Sequence, residues 1–177
     1  MSWEKIPESR SRPYAIERYV FVDSLKGGRF RRDPEPLLVP CRVLGTSLEA
    51  ARVFDECLRG LAHEEFWVLG LDQECRAQKI VRAAVGSEGG VELDGGRAVR
   101  AAMIAGCGAV VVAHHHPCGD PMPSLTDWCT TRELLDGLCA VGFELVDHLV
   151  LGDGVYASLR SLNEPMFTAA TFTEGRP

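Results

Sequence analysis

Five apolar residues, Ala-Val-Val-Val-Ala at positions 109–113, lead without a break into His114-His115-His116-Pro117. β-Branched residues favour extended backbone, and a run with no polar member suits a strand covered on both faces. A strand of that kind commits the chain to a sheet with layers packed on each side. It also dictates where the polar residues at its end point. Side chains two apart on a strand share a face, so His114 and His116 converge while His115 turns away. Residues 117–123 then hold three prolines and a glycine, which excludes regular structure. Ser124-Leu125-Thr126-Asp127 has the form of a capped helix start, with serine at the N-cap and an acidic residue at the third helical position. The helical periodicity that follows stops at Gly142.

The rest of the chain supports a mixed α/β domain, neither a bundle nor a sandwich. Thr46-Ser47-Leu48-Glu49 is a capping-box pattern, followed by Ala51, Phe54, Leu58 and Leu61 at helical spacing. Residues 66–71 and 79–85 flank Asp72-Gln73-Glu74 and predict a β-hairpin. Residues 97–106 are Ala-rich and predict a helix. Residues 143–151 and 155–159 surround Gly152-Asp153-Gly154, a second hairpin. Residues 1–40 mix charge, Gly and Pro and read as an irregular basic leader, with one candidate strand at 15–22. The domain is expected to span residues 41–162, and residues 163–177 form a tail without a readable pattern.

The central segment has the chemistry of a metal site. Neutral imidazole is a good zinc ligand, and a carboxylate from the first turn of the following helix can return to the same ion. His114, His116 and Asp127 therefore form a candidate ligand set for Zn2+. Three protein ligands leave a fourth position for water, the arrangement of a catalytic zinc; structural zinc is usually closed by four protein ligands. Helix capping by itself accounts for Ser124 and Asp127, and paired histidines alone are ordinary surface polarity. The metal reading rests on their combination: strand end, phased histidines, rigid turn and helix-borne carboxylate. Zinc deaminases need HxE and PCxxC. Position 116 is His and position 121 is Pro, which excludes that class, and no HExxH is present.

Composition narrows the setting. A chain of 177 residues can bury a core without disulfide staples. Seven cysteines, an odd number with no CxxC spacing, predict reduced thiols and a cytoplasmic protein. No apolar run reaches the roughly 18 residues of a membrane span, and residues 1–13 lack the apolar core of a secretory signal. The net charge of −6 is uneven. Residues 1–32 hold eight Lys/Arg and four Asp/Glu, net +4, which leaves −10 for the rest. An acidic body does not attract a polyanion, so nucleic acid is not the favoured partner, and the basic leader is the one electrostatic footprint for it.

The string His114-x-His116-Pro117, six residues, Ser124-x-x-Asp127 resembles the JAMM (MPN+) motif HxHP-x6-SxxD. The longer HHHPCGDPMPSLTD is similar to the RadC family's HNHPSGDPxPSxxD. Residues 64–72 resemble that family's ExFxVLxLD, and residues 145–152 its LLDHIIIG. The likeness covers about residues 40–160. It implies a cytidine-deaminase-like α/β fold with a mixed β-sheet flanked by helices. It also implies zinc-dependent hydrolysis of an amide, peptide or isopeptide bond in a protein or peptide substrate. A metal-dependent nuclease and a non-catalytic zinc-binding module are the alternatives.

The resemblance further implies a water-activating glutamate just before residue 66. Glu64 matches the ExF spacing and Glu65 is one residue off; strand alternation lets only one of them face the ion. Ser124 is the candidate donor to the developing oxyanion. His148, in an apolar strand context, reads as a core histidine, and Asp120 as a turn residue. Three positions depart from the family pattern. His115 replaces Asn. Cys118 replaces Ser and puts a soft thiol beside the site. Gly95-Gly96-Arg97 stands where Pro-Arg-Glu is expected.

Overall fold

A computed structural model describes residues 3–7, 13–22, 28–86, 95–106 and 108–171. Among these residues nine strands and five helices follow in the order β1 (Glu4–Lys5), β2 (Tyr14–Val22), β3 (Arg29–Arg32), β4 (Leu37–Val39), α1 (Ser47–Leu58), β5 (Glu65–Leu71), β6 (Ala77–Val85), α2 (Gly95–Ala105), β7 (Ala109–His115), α3 (Leu125–Ala140), β8 (Glu144–Leu151), β9 (Val155–Ser158), α4 (Leu159–Leu162) and α5 (Glu164–Thr171). The sheet runs β1-β9-β8-β7-β5-β6-β2-β3, with β4 paired to β2. β7 pairs parallel with β8, and β2 parallel with β6; the other named pairs are antiparallel. This is the mixed sheet flanked by helices.

The apolar strand is β7, buried along almost its whole length and central in the sheet. Alternation divides its side chains between two cores. Val111 and Ala113 join Phe54 and Leu58 of α1, with Trp67, Leu69 and Ile80. Val110 and Val112 join Phe66 and Val68, with Ala98, Ala101 and Ala102 of α2 and Leu134, Leu135 and Leu138 of α3. α1 thus covers one face while α2 and α3 cover the other. Both predicted hairpins are present, as β5–β6 and β8–β9. Thr46 caps α1, with its Oγ1 accepting from the Glu49 N–H at 3.3 Å. Gly142 follows the end of α3 with φ +79°, a conformation glycine adopts without strain.

Two sequence expectations need correction. Residues 1–40 are not an irregular leader in their described part, though the candidate strand at 15–22 is present as β2. β2 buries Ile16 and Val20 and hydrogen-bonds alongside β6, so this segment extends the sheet by an inner strand. β3 and β4 were hidden by arginines and prolines; each is short and lies at a margin of the sheet, where such residues are tolerated. The tail after residue 162 also has structure: α5 buries Phe167, a single anchor too short in pattern to read as periodicity. No described helix is long and apolar enough to cross a membrane. The six described cysteines are free thiols, and burial pushes Cys57 up to about 12.

Asp147 of β8 ties these layers together. Its buried carboxylate accepts from the Ser47 hydroxyl at 2.8 Å, the Ser158 hydroxyl at 2.7 Å, the His148 N–H at 2.8 Å and the Arg160 N–H at 3.1 Å. Burial raises its pKa above the ordinary carboxylate value even against those donors. Asp147→Ala strands all four donors and is expected to lower stability by about 3 kcal/mol. A urea midpoint unchanged from wild type would show that the network carries no net stability.

Candidate metal centre

β7 ends as its ladder to β5 ends, and this places His114 directly across from Phe66. The two rings stack, with centroids 6.2 Å apart and planes within 10°. His114 therefore lies on the α2/α3 face. His115 turns to the other side, where its Nε2 meets the Leu61 carbonyl at 3.1 Å. His116 follows the strand and returns to the face of His114, with 3.2 Å between their Nε2 atoms. Asp127, in the first turn of α3, reaches both: Oδ1 lies 3.0 Å from His114 Nε2 and Oδ2 lies 3.6 Å from His116 Nε2. The donor atoms of these three residues all fall within 4.8 Å of one another. Two imidazole nitrogens and a carboxylate at that spacing can hold a metal ion. Cys118 is exposed and is not part of this grouping.

The loop that separates the ligands is held from behind. The Gly119 N–H donates to the His116 carbonyl at 2.9 Å, and the Asp153 N–H to the Gly119 carbonyl at 3.1 Å. A Cβ on Gly152 would lie 2.1 Å from the Gly119 carbonyl oxygen, so only glycine permits this approach of the β8–β9 turn. The His116 Nδ1 lies 2.9 Å from the Asp120 carbonyl, which takes its N–H and leaves the Nε2 lone pair toward Asp127.

His114 is oriented by a longer chain. Its Nδ1 lies 3.0 Å from His148 Nε2, and His148 Nδ1 lies 2.7 Å from Thr131 Oγ1. The Thr131 hydroxyl donates its proton to the Asp127 backbone carbonyl at 2.6 Å, so toward His148 it accepts. His148 therefore carries its proton on Nδ1, its Nε2 accepts from His114 Nδ1–H, and the His114 Nε2 lone pair is free for an ion. Burial and the neighbouring His114 hold the His148 pKa well below the usual imidazole value, in keeping with a neutral ring. Second partners of this kind fix ligand tautomer and orientation. His148→Phe is expected to weaken zinc binding roughly 10- to 100-fold while leaving the chain folded. A competition titration against a chelator measures this, and unchanged affinity would remove His148 from the site.

Electrostatics follow the same geometry. Burial acts to raise the Asp127 pKa, but the neighbouring His114, His116 and Ser124 outweigh it and hold the carboxyl far below its usual range. The hydrogen bond to Asp127 raises the pKa of His116, with smaller contributions that include the Glu64 charge. Ser124 caps α3: its hydroxyl donates to Asp127 Oδ2 at 2.7 Å, its N–H donates to the same oxygen at 2.7 Å, and its Oγ accepts from the Asp127 N–H at 3.2 Å. Capping and proximity to the ligands thus coexist at this residue.

The two glutamates separate by strand alternation. Glu65 is buried on the Trp67 side, held by the Trp67 indole N–H at 2.9 Å and Arg82 Nη1 at 2.9 Å. Glu64 is half-buried, and its carbonyl accepts from the Gly86 N–H at 2.7 Å, which continues the β5–β6 ladder by one residue. Two residues before Phe66, it belongs to the face of His114. Sequence reasoning read His148 as a core histidine, which its burial bears out, but did not join it to the site, and did not name Thr131. Thr131 was readable in part, since it lies four residues after Asp127 on the same helical face. His148 depended on the pairing of β8 with β7, which no local pattern states.

A family model for the RadC-like JAB domain matches residues 44–164. Among curated proteins, the chain is 41% identical over 108 residues to a UPF0758 protein of Xanthomonas oryzae pv. oryzae, covering 61% of this chain and 48% of the relative. It is 34% identical over 110 residues to a UPF0758 protein of Coprothermobacter proteolyticus, covering 62% and 47%. The chain spans about half the length of the curated relatives it matches.

Proposed function

Because the chain belongs to the RadC-like JAB domain family, we propose that it is a zinc-dependent hydrolase of the JAMM type that cleaves an amide, peptide or isopeptide bond of a protein or peptide substrate. The convergence of His114 Nε2, His116 Nε2 and the Asp127 carboxylate carries this reading, since the donor set suits zinc and leaves a position for water. Zinc bound there lowers the pKa of water to near 7 and polarises a carbonyl. The remaining steps fall to the chain's own residues. Glu64 takes the proton of the attacking water and returns it to the leaving nitrogen. The Ser124 hydroxyl turns from Asp127 toward the substrate oxygen as negative charge develops there, while its backbone N–H keeps Asp127 in place. Glu65 is excluded from the role of base by its ion pair with Arg82 on the opposite face.

The test is hydrolysis of a peptide and isopeptide library by protein holding about one zinc per chain. Activity is expected to disappear on chelation and return with zinc. Cleavage of DNA but of no amide would establish the nuclease reading instead. Zinc retention without turnover of either would leave a binding module. Cys118 has a separate test. Cys118→Ser is expected to leave zinc content unchanged, because the thiol lies outside the ligand grouping. Loss of zinc in that variant would mean a fourth protein ligand and a site closed to water.

A further inference from the structure

At the same end of the sheet as the metal centre lies a cavity of about 170 Å3 lined by Phe21, Arg82, Ala84, Val85 and Arg97. The Arg97 guanidinium stacks 4.3 Å over the Phe21 ring. Arg82 gives Nη1 to Glu65. The Nε atoms of both arginines are buried and have no hydrogen-bond partner among the described residues. A buried donor left unpaired is unfavourable, more so on a charged group, and an acceptor bound in the cavity would satisfy it. Guanidinium matches a planar carboxylate with two parallel hydrogen bonds.

The cavity is placed to meet a substrate. Ala84 is paired with Phe66, and Phe66 with His114. Two strand spacings put the cavity wall about 10 Å from the position of His114, at the same end of the sheet. Glu64 stands between them, joined to the cavity strand through Gly86. α2, which carries Arg97, and α3, which carries Asp127, pack on one face. About 10 Å is the span of roughly three residues of extended peptide.

We propose that this cavity is a subsite for a substrate carboxylate, an acidic side chain or a chain terminus about three residues from the scissile amide, anchored by Arg97. The proposal rests on the hydrolase reading above and names its substrate class. The acidic balance of the chain outside residues 1–32 disfavours a polyanion, whereas a single carboxylate meets the local positive charge of Arg97.

The experiment follows the arginine Nε–H signals of the zinc-loaded full chain by NMR. The probes are N-acetylglutamate α-amide, N-acetylalanine, the neutral N-acetylglutamine α-amide and inorganic phosphate. A saturable shift of the Arg97 signal is expected with one or both carboxylates and not with the neutral amide. The first two probes distinguish a side chain from a terminus. Affinity is expected to vanish in Arg97→Glu and to fall about tenfold or more in Arg97→Gln. The glutamine variant decides the matter should the glutamate variant fail to fold. Equal binding of the neutral amide, preference for phosphate, no response to either carboxylate, or undiminished binding in Arg97→Gln overturns the subsite. Zinc content is measured in the same samples. A wild-type chain that holds zinc but gives no carboxylate response overturns the subsite alone. A wild-type chain that takes no zinc overturns the hydrolase reading, and the role of the cavity as a substrate subsite falls with it.

Discussion

Glu64→Gln is expected to keep its zinc and lose hydrolysis by roughly 10²–10⁴-fold, because glutamine cannot accept a proton. The substitution preserves size and hydrogen-bonding reach, and the Glu64 contact to Gly86 runs through the backbone and survives it. Glu65→Gln supplies the contrast. Glu65 accepts from Trp67 and Arg82 in the opposite core, and its loss of charge leaves Arg82 without its ion-pair partner. That variant is expected to lose stability and to keep its turnover per folded molecule. Thermal midpoints and rates measured on the same samples separate the two effects. Full activity in Glu64→Gln with loss in folded Glu65→Gln would move the base by one residue. Full activity in both would leave the mechanism without a proton acceptor.

The second large effect concerns the metal. His116→Ala is expected to take zinc content from about one per chain to near zero under dialysis, since two remaining protein ligands do not hold the ion against competing water and buffer. His116 is the informative choice because its ring touches only the site and the Asp120 carbonyl. Asp127→Ala should also empty the site, but it removes the acceptor of the Ser124 N–H as well, and with it half of the α3 capping box. That loss costs about 1 kcal/mol of helix stability. Wild-type zinc content in His116→Ala, measured by elemental analysis, would sink the ligand assignment.

Much of the site could be read from the chain because it is built from short-range rules. His114 and His116 share a face by strand period, and Asp127 is tied to Ser124 by three residues of helix. The strand, the rigid turn and the capped helix that carry them are each local. What escaped reading is long-range. The His114–His148 contact depends on β7 pairing parallel with β8, and a register shift of one residue would have turned His148 to the other face. β2 failed to read as an inner strand for a related reason. Its partner β6 lies some sixty residues away in sequence, and its polar positions mask the buried Ile16 and Val20. β3 and β4 carry too few residues for any period to show.

The hydrogen bonds behind the ligands form one continuous chain. From Asp127 the path runs along its carbonyl to Thr131 and through His148 to His114, whose Nε2 faces the Asp127 carboxylate at 3.0 Å. Two of the three ligands are thus fastened to each other by the protein before any ion arrives. In small zinc domains the ion itself closes the loop, and such chains unfold without it. Here the link is made of buried side chains on β7, β8 and α3, so the apoprotein inherits the geometry from its own core. Zinc bound there would be a guest in a finished frame, and its thermal stabilisation is expected to follow ordinary mass action with its free concentration.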